Sequence, residues 1–153
     1  MQTTFCCPGT LAHVTGTFFN DPEVDVVYGH RIVIDGDGME TGRCVLPGHD
    51  PETIKWMEYV PQETMFWRRR VWDRIGPLDE SFRFALDWDF ILRAHQAGFR
   101  FQRLPRFLGC FRVHERQKTT AMRRVAEVEP VGFGLWRSRA LDIADFMPNP
   151  ATD

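Results

Sequence analysis

The sequence predicts an α/β fold with a mixed sheet, and three observations support this class. Runs rich in β-branched residues, such as Val24–Tyr28, predict buried strands. Runs with apolar residues three or four positions apart, such as the run after Asp87, predict amphipathic helices. Both kinds of run occur along a chain of 153 residues, a length that suits one domain. We therefore expect a single domain over residues 1–153 with helices flanking the sheet.

The first third of the chain predicts a helix and then strands. Residues 1–7 carry no pattern, whereas Thr10–Phe19 has the spacing of a short helix that Asn20-Asp21-Pro22 ends. Three strands follow, the last two joined by a turn at Asp35-Gly36-Asp37-Gly38. In chain order, these strands are predicted at Val24–Tyr28, Arg31–Ile34 and Arg43–Leu46.

The remainder of the chain alternates between helical and extended patterns. The predicted elements are one or two helical turns in Glu52–Tyr59, a strand at Thr64–Trp67, a helix at Arg69–Ile75, irregular chain at Leu78–Ala85, a helix from Asp87 to Gly98, and strands at Phe99–Leu104 and Phe107–Val113. Pro105 interrupts the last two strands, because proline cannot donate to a sheet ladder. Residues 117–146 predict further helix, and residues 147–153 predict a frayed tail.

Composition argues against several classes of partner. The net charge is −2, from 19 basic and 21 acidic side chains, so no nucleic acid is expected as partner. No apolar run approaches the roughly 18 residues that a transmembrane helix needs. The four cysteines form no C-x-x-C pair, and residues 1–9 lack the features of a secretory signal. We expect a cytoplasmic protein with reduced thiols, with the inner membrane surface as an alternative location.

The helix that starts near Asp87 carries the strongest chemical candidate. A carboxylate at a helix N-terminus is held ionised by the dipole and by free N–H groups, so Asp87 is suited to accept a proton from a hydroxyl. The alternative is that Asp87 only caps the helix. Asp89 is a candidate substrate-binding residue, but it also lies four positions before Arg93, the spacing of a helical ion pair.

Other candidate residues have structural alternatives of the same kind. Trp67 and Trp88 are candidate platforms for the apolar face of a sugar, or core residues. Gln62 and Glu63 either face a cleft or cap a strand, and the basic run from Arg68 to Arg70 either binds phosphate or is balanced by nearby acids. A further group, which suits a diphosphate or a metal, comprises His114, Arg112 and Lys118.

Four ordered segments resemble family 2 glycosyltransferases. They are Pro61–Arg69, Gly76–Phe82, Leu86–Arg93, and Phe111–His114 followed by Lys118-Thr119. Val26–Gly29 and the hairpin after it are also similar to the segment that follows the sugar-nucleotide site of that family. The resemblance spans residues 8–120 and covers the acceptor-side, C-terminal half of the family.

The resemblance implies a GT-A fold and inverting transfer of a sugar from a nucleoside diphosphate to a saccharide or lipid-linked acceptor. By this resemblance Asp87 is the general base, although Leu86 precedes it where the family usually has Glu. Gln62 would line the acceptor cleft, and His114 would lie near the diphosphate or a metal. The intact family enzymes use a divalent cation, Mn²⁺ or Mg²⁺.

One departure from the family concerns the donor. The D-x-D motif that normally precedes a Pro-Gly-x-Leu is replaced before Pro8 by Thr4–Cys7, which contains no acid. Asp35-Gly36-Asp37 has the right letters but lies at a predicted turn. We therefore expect an incomplete GT-A-like sheet that self-associates through an exposed edge and that transfers no sugar alone. The alternative hypothesis is a non-catalytic sugar- or protein-binding module on the same scaffold, and a Cys- and His-bound metal domain is less favoured.

Overall fold

The computed structural model describes residues 4–79 and 86–113, all of which belong to the unit Met1–His114. In chain order, the elements are β1 (Thr4–Cys6), α1 (Thr10–Asn20), β2 (Val26–Ile34), β3 (Glu40–Cys44), a 3₁₀ turn (Thr53–Lys55), a second 3₁₀ turn (Gln62–Thr64), β4 (Phe66–Trp67), α2 (Arg69–Ile75), α3 (Leu86–Gln96) and β5 (Phe101–Arg112).

Within the described ranges, five strands form one mixed sheet with β2 at its centre. Strand β5 runs parallel to β2 along one side, and β1 adds antiparallel to the far side of β5. On its other side β2 pairs antiparallel with β4 at Val26–Val27 and with β3 at Arg31–Ile34. The mixed sheet and its flanking helices confirm the predicted α/β class.

Strand β2 is continuous where the sequence predicts two strands separated at Gly29. The prediction was wrong because Gly29 is a site of close packing within the strand. A Cβ at this position would lie 2.5 Å from Leu108 Cγ and 2.6 Å from the carbonyl oxygen of Arg106. Only glycine therefore lets β2 and β5 approach each other here.

Strand β5 is likewise continuous, although two strands broken at Pro105 were predicted. Gly29 pairs with Leu104 and the next residue, His30, pairs with Phe107. Pro105 and Arg106 thus have no partner in β2 and form a bulge. Because residues in a bulge need not donate to the ladder, proline is tolerated there.

The start of the chain and the hairpin show how pairing defines strand limits. Residues 1–7 were expected to be irregular, but β1 forms because Thr4–Cys6 pairs with β5. The predicted hairpin is confirmed, with the carboxylate of Asp35 accepting the backbone N–H groups of Asp37 (3.0 Å) and Met39 (2.9 Å). Its second strand, β3, begins and ends earlier than predicted.

The helices agree closely with the sequence. Helix α2 occupies the predicted Arg69–Ile75, and α1 and α3 begin and end within two residues of their predicted limits. Gly76 and Gly98, which follow α2 and α3, have φ angles of 79° and 80°. Such left-handed backbone is the usual reason for glycine after a helix. The predicted strand at Thr64–Trp67 is shorter, because Thr64 belongs to the second 3₁₀ turn.

Each face of the sheet has its own core. Helix α3 buries Phe90, Ile91 and Ala94 against one face, where Val26, Tyr28 and Phe101 point. Helix α1 contributes Val14 to a smaller cluster on the other face, with Val24, Val27, Leu104 and Leu108. The period-2 alternation of β2 therefore sends neighbouring valines to different cores.

A buried carboxylate joins three parts of the fold. Asp25 is 6% exposed. Its carboxylate accepts hydrogen bonds from Arg70 Nε at 2.5 Å and from the backbone N–H of Arg100 at 2.9 Å. Its carbonyl oxygen accepts the backbone N–H of Arg68 at 2.9 Å. The starts of β2, α2 and β5 are thereby held at one end of the sheet.

Several predicted elements lie outside the described residues. They are most of the irregular segment Leu78–Ala85, the helical region 117–146 and the tail 147–153. The expectation that residues 1–153 form a single domain stays a prediction.

Replacement of Gly29 by alanine tests the close approach of β2 and β5. The added methyl group would overlap the side chain of Leu108 and the carbonyl oxygen of Arg106, so we expect Gly29→Ala to destabilise the fold by about 2 kcal/mol. Gly42→Ala in β3 is the matched control, because its nearest contact would be Val33 Cβ at an ordinary 3.9 Å. Urea unfolding measures both; equal effects would contradict the packing role of Gly29.

Candidate functional site

The first turn of α3 places Asp87 at the protein surface. The apolar residues of the helix fix it against the sheet, and Asp87 lies part-buried at its N-terminal end. One carboxylate oxygen of Asp87 accepts the backbone N–H of Trp88 at 3.0 Å. This bond satisfies one free donor of the helix start, so a capping role is present. A cap that remains part-exposed is also accessible to a substrate.

A second carboxyl group, that of Glu58, is coupled electrostatically to the carboxyl of Asp87. Glu58 follows the 3₁₀ turn Thr53–Lys55, which is joined to α3 by a buried bond. Trp88 Nε1 donates to the carbonyl oxygen of Ile54 at 2.9 Å. The segment that carries Glu58 is therefore held against the first turn of α3, and the carboxyl pair depends on this contact.

A third acid, Glu63, comes from the second 3₁₀ turn. Its side chain is 6% exposed and lies 3.3 Å from Arg31 of β2. The turn can approach the sheet because Gly109 of β5 has no side chain; a Cβ there would lie 2.4 Å from the carbonyl oxygen of Glu63. We call Glu58, Glu63 and Asp87 together the acid cluster, with Arg31 as its counter-charge.

The electrostatics of the acid cluster keep one of its members protonated. Burial, the Asp87 carboxyl and then Glu63 raise the pKa of Glu58 from 4.5 to about 8, against the opposing effect of Arg31. Glu58 as a whole residue is nevertheless exposed, so solvent screens these interactions in part. At pH 7 Glu58 is therefore neutral.

The two candidate sugar platforms occupy packed positions. Trp88 is 9% exposed, and its indole N–H is used by Ile54, so its ring belongs to the core. Trp67 packs against Phe90 at 4.7 Å and stacks with Trp72 at 6.5 Å between ring centroids. With Arg69, Trp67 and Trp72 also line a shallow surface hollow. The structural alternative accounts for the contacts of both rings.

Asp89 forms the helical ion pair that its spacing predicts. Its carboxylate accepts Arg93 Nε at 2.8 Å, and Asp89 is buried. Arg93 also donates to the carbonyl oxygens of Ile75 at 2.5 Å and Pro77 at 3.0 Å. Through Arg93, this ion pair links α3 to the end of α2. The contacts of Asp89 are therefore structural.

The basic run Arg68–Arg70 is balanced from within the protein. Arg68 donates to the carbonyl oxygens of Val24 and Phe18 and its guanidinium lies 4.8 Å from the Phe18 ring centroid. Arg69 pairs with Asp73 at 2.8 Å, and Arg70 pairs with Asp25. These contacts favour the structural interpretation of the run over a phosphate site.

The residues predicted near a diphosphate or metal are only partly described. Arg112 donates to the carbonyl oxygen of Gly36, and its guanidinium lies 5.1 Å from the Phe5 ring centroid. His114 and Lys118 lie outside the described residues. In residues 4–79 and 86–113, no three His, Cys, Asp or Glu side chains are arranged to hold a metal ion. The expected metal stays a prediction.

Sequence reasoning missed Glu58 and Arg31. Glu58 lies in a loop without periodicity, between exposed Met57 and part-buried Tyr59, so no local pattern distinguishes it. Arg31 appeared only as a strand residue. Both belong to the site through contacts between segments far apart in the chain. The one available signal was the position of Glu58, a carboxylate just before the Pro61–Gln62 segment.

Comparison of the sequence with protein-family models and with curated proteins finds no match. None of the helices in the part of the chain that the structure describes has the length and apolar character needed to cross a membrane.

Replacement of Glu58 by glutamine should remove a pH dependence of stability. Because the folded-state pKa of Glu58 is raised above its ordinary 4.5, the folded protein holds a proton that the unfolded chain releases. Stability from this group is therefore complete below pH 4.5 and is lost as the pH rises towards 8. Glu58→Gln stays neutral at every pH, so it should be more stable than the parent at pH 8 and similar at pH 4.5.

Solvent screening at this exposed residue limits the expected gain to about 1 kcal/mol, or roughly 4 °C in Tm. Thermal unfolding from pH 4.5 to 9 provides the measurement. Glu23→Gln, on the exposed loop before β2, is the matched control and should follow the parent at every pH. Parallel curves for Glu58→Gln and the parent would contradict the raised pKa of Glu58.

Proposed function

We propose that this chain forms the acceptor side of an inverting nucleotide-sugar glycosyltransferase, with Asp87 as the general base. The observation that carries the proposal is the carboxyl pair of Asp87 and Glu58 at the N-terminus of α3. The ordered resemblance of Pro61–Arg69, Leu86–Arg93 and the neighbouring segments to family 2 glycosyltransferases supplies the reaction class.

The carboxyl pair is suited to accept one proton. Glu58 holds its own proton at pH 7, so it places no second negative charge beside Asp87. The N–H of Trp88 donates to the Asp87 carboxylate at the positive end of the α3 dipole. In the proposed reaction the acceptor hydroxyl loses its proton to Asp87 while its oxygen attacks the anomeric carbon, and the bond to the diphosphate oxygen breaks.

The second 3₁₀ turn would supply polar groups for the acceptor. Gln62 is exposed on this turn and offers an amide donor and acceptor. Glu63 in the same turn is fixed by Arg31 and by the close contact with Gly109. A side chain fixed in this way can orient an acceptor for attack.

Saccharide binding at the acid cluster is the first test. Acceptor saccharides with free hydroxyl groups should shift the backbone NMR signals of Glu58, Gln62, Glu63 and Asp87 in the chain itself. Asp73→Asn, on the exposed face of α2, is the matched control and should bind equally well. Saccharides that shift no signals in this group, at concentrations up to about 10 mM, would contradict an acceptor site.

Transfer is the second test, and it separates catalysis from binding. With a family 2 donor-binding half supplied by fusion, acceptor-dependent release of nucleoside diphosphate should fall about 10²–10⁴-fold in Asp87→Asn, while saccharide binding persists. Asp73→Asn should transfer at the parent rate. Undiminished turnover in Asp87→Asn would exclude Asp87 as the base, and binding without any transfer would instead support a sugar-binding module.

A further inference from the structure

Two thiols that the proposed function does not use lie in contact on the opposite side of β5 from β2. The Sγ atoms of Cys7 and Cys110 are 3.5 Å apart, although the two residues are 103 positions apart in the chain. Both residues are part-buried. A disulfide bond has a sulfur–sulfur distance of about 2.05 Å, so closure requires each side chain to move by less than 1 Å.

The backbone on both sides of this thiol pair is fixed. The N–H of Cys7 donates to the carbonyl oxygen of Leu108 at 2.9 Å, and the hydroxyl of Thr10 donates to the same oxygen at 2.9 Å. Cys110 is held in β5, where Phe5 of β1 and Ile32 of β2 pair with it from either side. The fold therefore holds the two sulfur atoms together before any reaction, which raises their effective concentration.

We propose that Cys7 and Cys110 form a modification site, at which a disulfide co-reactant such as glutathione disulfide converts the two thiols to an intramolecular disulfide. The bond joins the corner between β1 and α1 to strand β5. The other two cysteines are not part of the site: Cys6 is exposed on β1, and Cys44 lies at the end of β3 beside Arg31.

The reaction is balanced by the reduction of one glutathione disulfide. One cysteine thiolate attacks a sulfur of glutathione disulfide, and a mixed disulfide forms as one glutathione thiolate leaves. The second cysteine then attacks the protein sulfur of the mixed disulfide, and the second glutathione leaves. The two cysteine protons pass to the departing thiolates, so the protein loses two hydrogens and two glutathione thiols appear.

The local environment makes this reaction slow near neutrality. Burial and the contact with Cys110 raise the pKa of the Cys7 thiol to about 12, so Cys7 is almost entirely protonated at pH 7. Because the thiolate is the reactive form, the rate should increase about tenfold for each pH unit while Cys7 limits the reaction.

Disulfide mapping on the whole protein tests the proposal. Trypsin cuts after Arg31, Arg106 and Arg112, so the bond would link a peptide of residues 1–31 to a peptide of residues 107–112. After treatment with glutathione disulfide at pH 8, we expect this linked pair in the monomer, two free thiols fewer, and a Tm about 5–10 °C higher. Cys6→Ser is the matched control and should give the same linked pair and the same rise in Tm.

Cys7→Ser and Cys110→Ser should lose both the linked pair and the rise in Tm. If either variant does not fold, the parent and Cys6→Ser still decide the matter, because their thiol counts and peptide maps need no further variant. Four free thiols after treatment, a bond that forms through Cys6, a bond between two molecules, or stable glutathione adducts without closure would each overturn the proposal.

Discussion

The parallel pairing of β2 with β5 is the interaction on which the described fold depends. Parallel strands cannot be joined by a tight turn, so the chain between them must cross over. That crossover contains the hairpin, both 3₁₀ turns, β4, α2 and α3. Two glycines allow close packing at this pairing. Gly29 of β2 leaves room for Leu108 of β5, and Gly109 of β5 leaves room for the backbone of Glu63. The position of the acid cluster thus follows from the sheet.

Elements with local signals were predictable from the sequence. Helix α2 is ended by Gly76, and the hairpin is defined by Asp35, whose carboxylate accepts hydrogen bonds from the turn that follows it. Such features depend on residues within a few positions of one another. The strands were harder, because Gly29 and Pro105 are breakers by local rules, and only the partner strand shows that both are accommodated within β2 and β5. Strand β1 has no signal of its own and exists through its pairing.

The candidate site also contains residues with local sequence signals and residues without them. Asp87 was recognisable because it opens a helix, and the ion pair of Asp89 with Arg93 follows from a spacing of four residues. Glu58 was not, because its importance comes from a contact with Asp87 across 29 positions of chain. Aromatic residues gave the least information: Trp88 and Trp67 are equally consistent by type with a sugar platform and with a core, and only the structure shows that both rings are packed against other residues.

The carboxylate of Asp25 has a consequence for the order in which the chain assembles. Its partners come from positions 68, 70 and 100, so the joint is completed only when residues distant in sequence are all present. During synthesis, the β2–β3 hairpin can form from neighbouring residues. The parallel partner of β2, strand β5, is made only about 70 residues later. Val26, Val27 and Tyr28 of β2 are fully buried only in the finished fold. Non-local pairing of this kind slows folding and prolongs the exposure of a strand edge. Until β5 emerges, the strand that becomes the centre of the described sheet has an unpaired apolar edge, which favours aggregation.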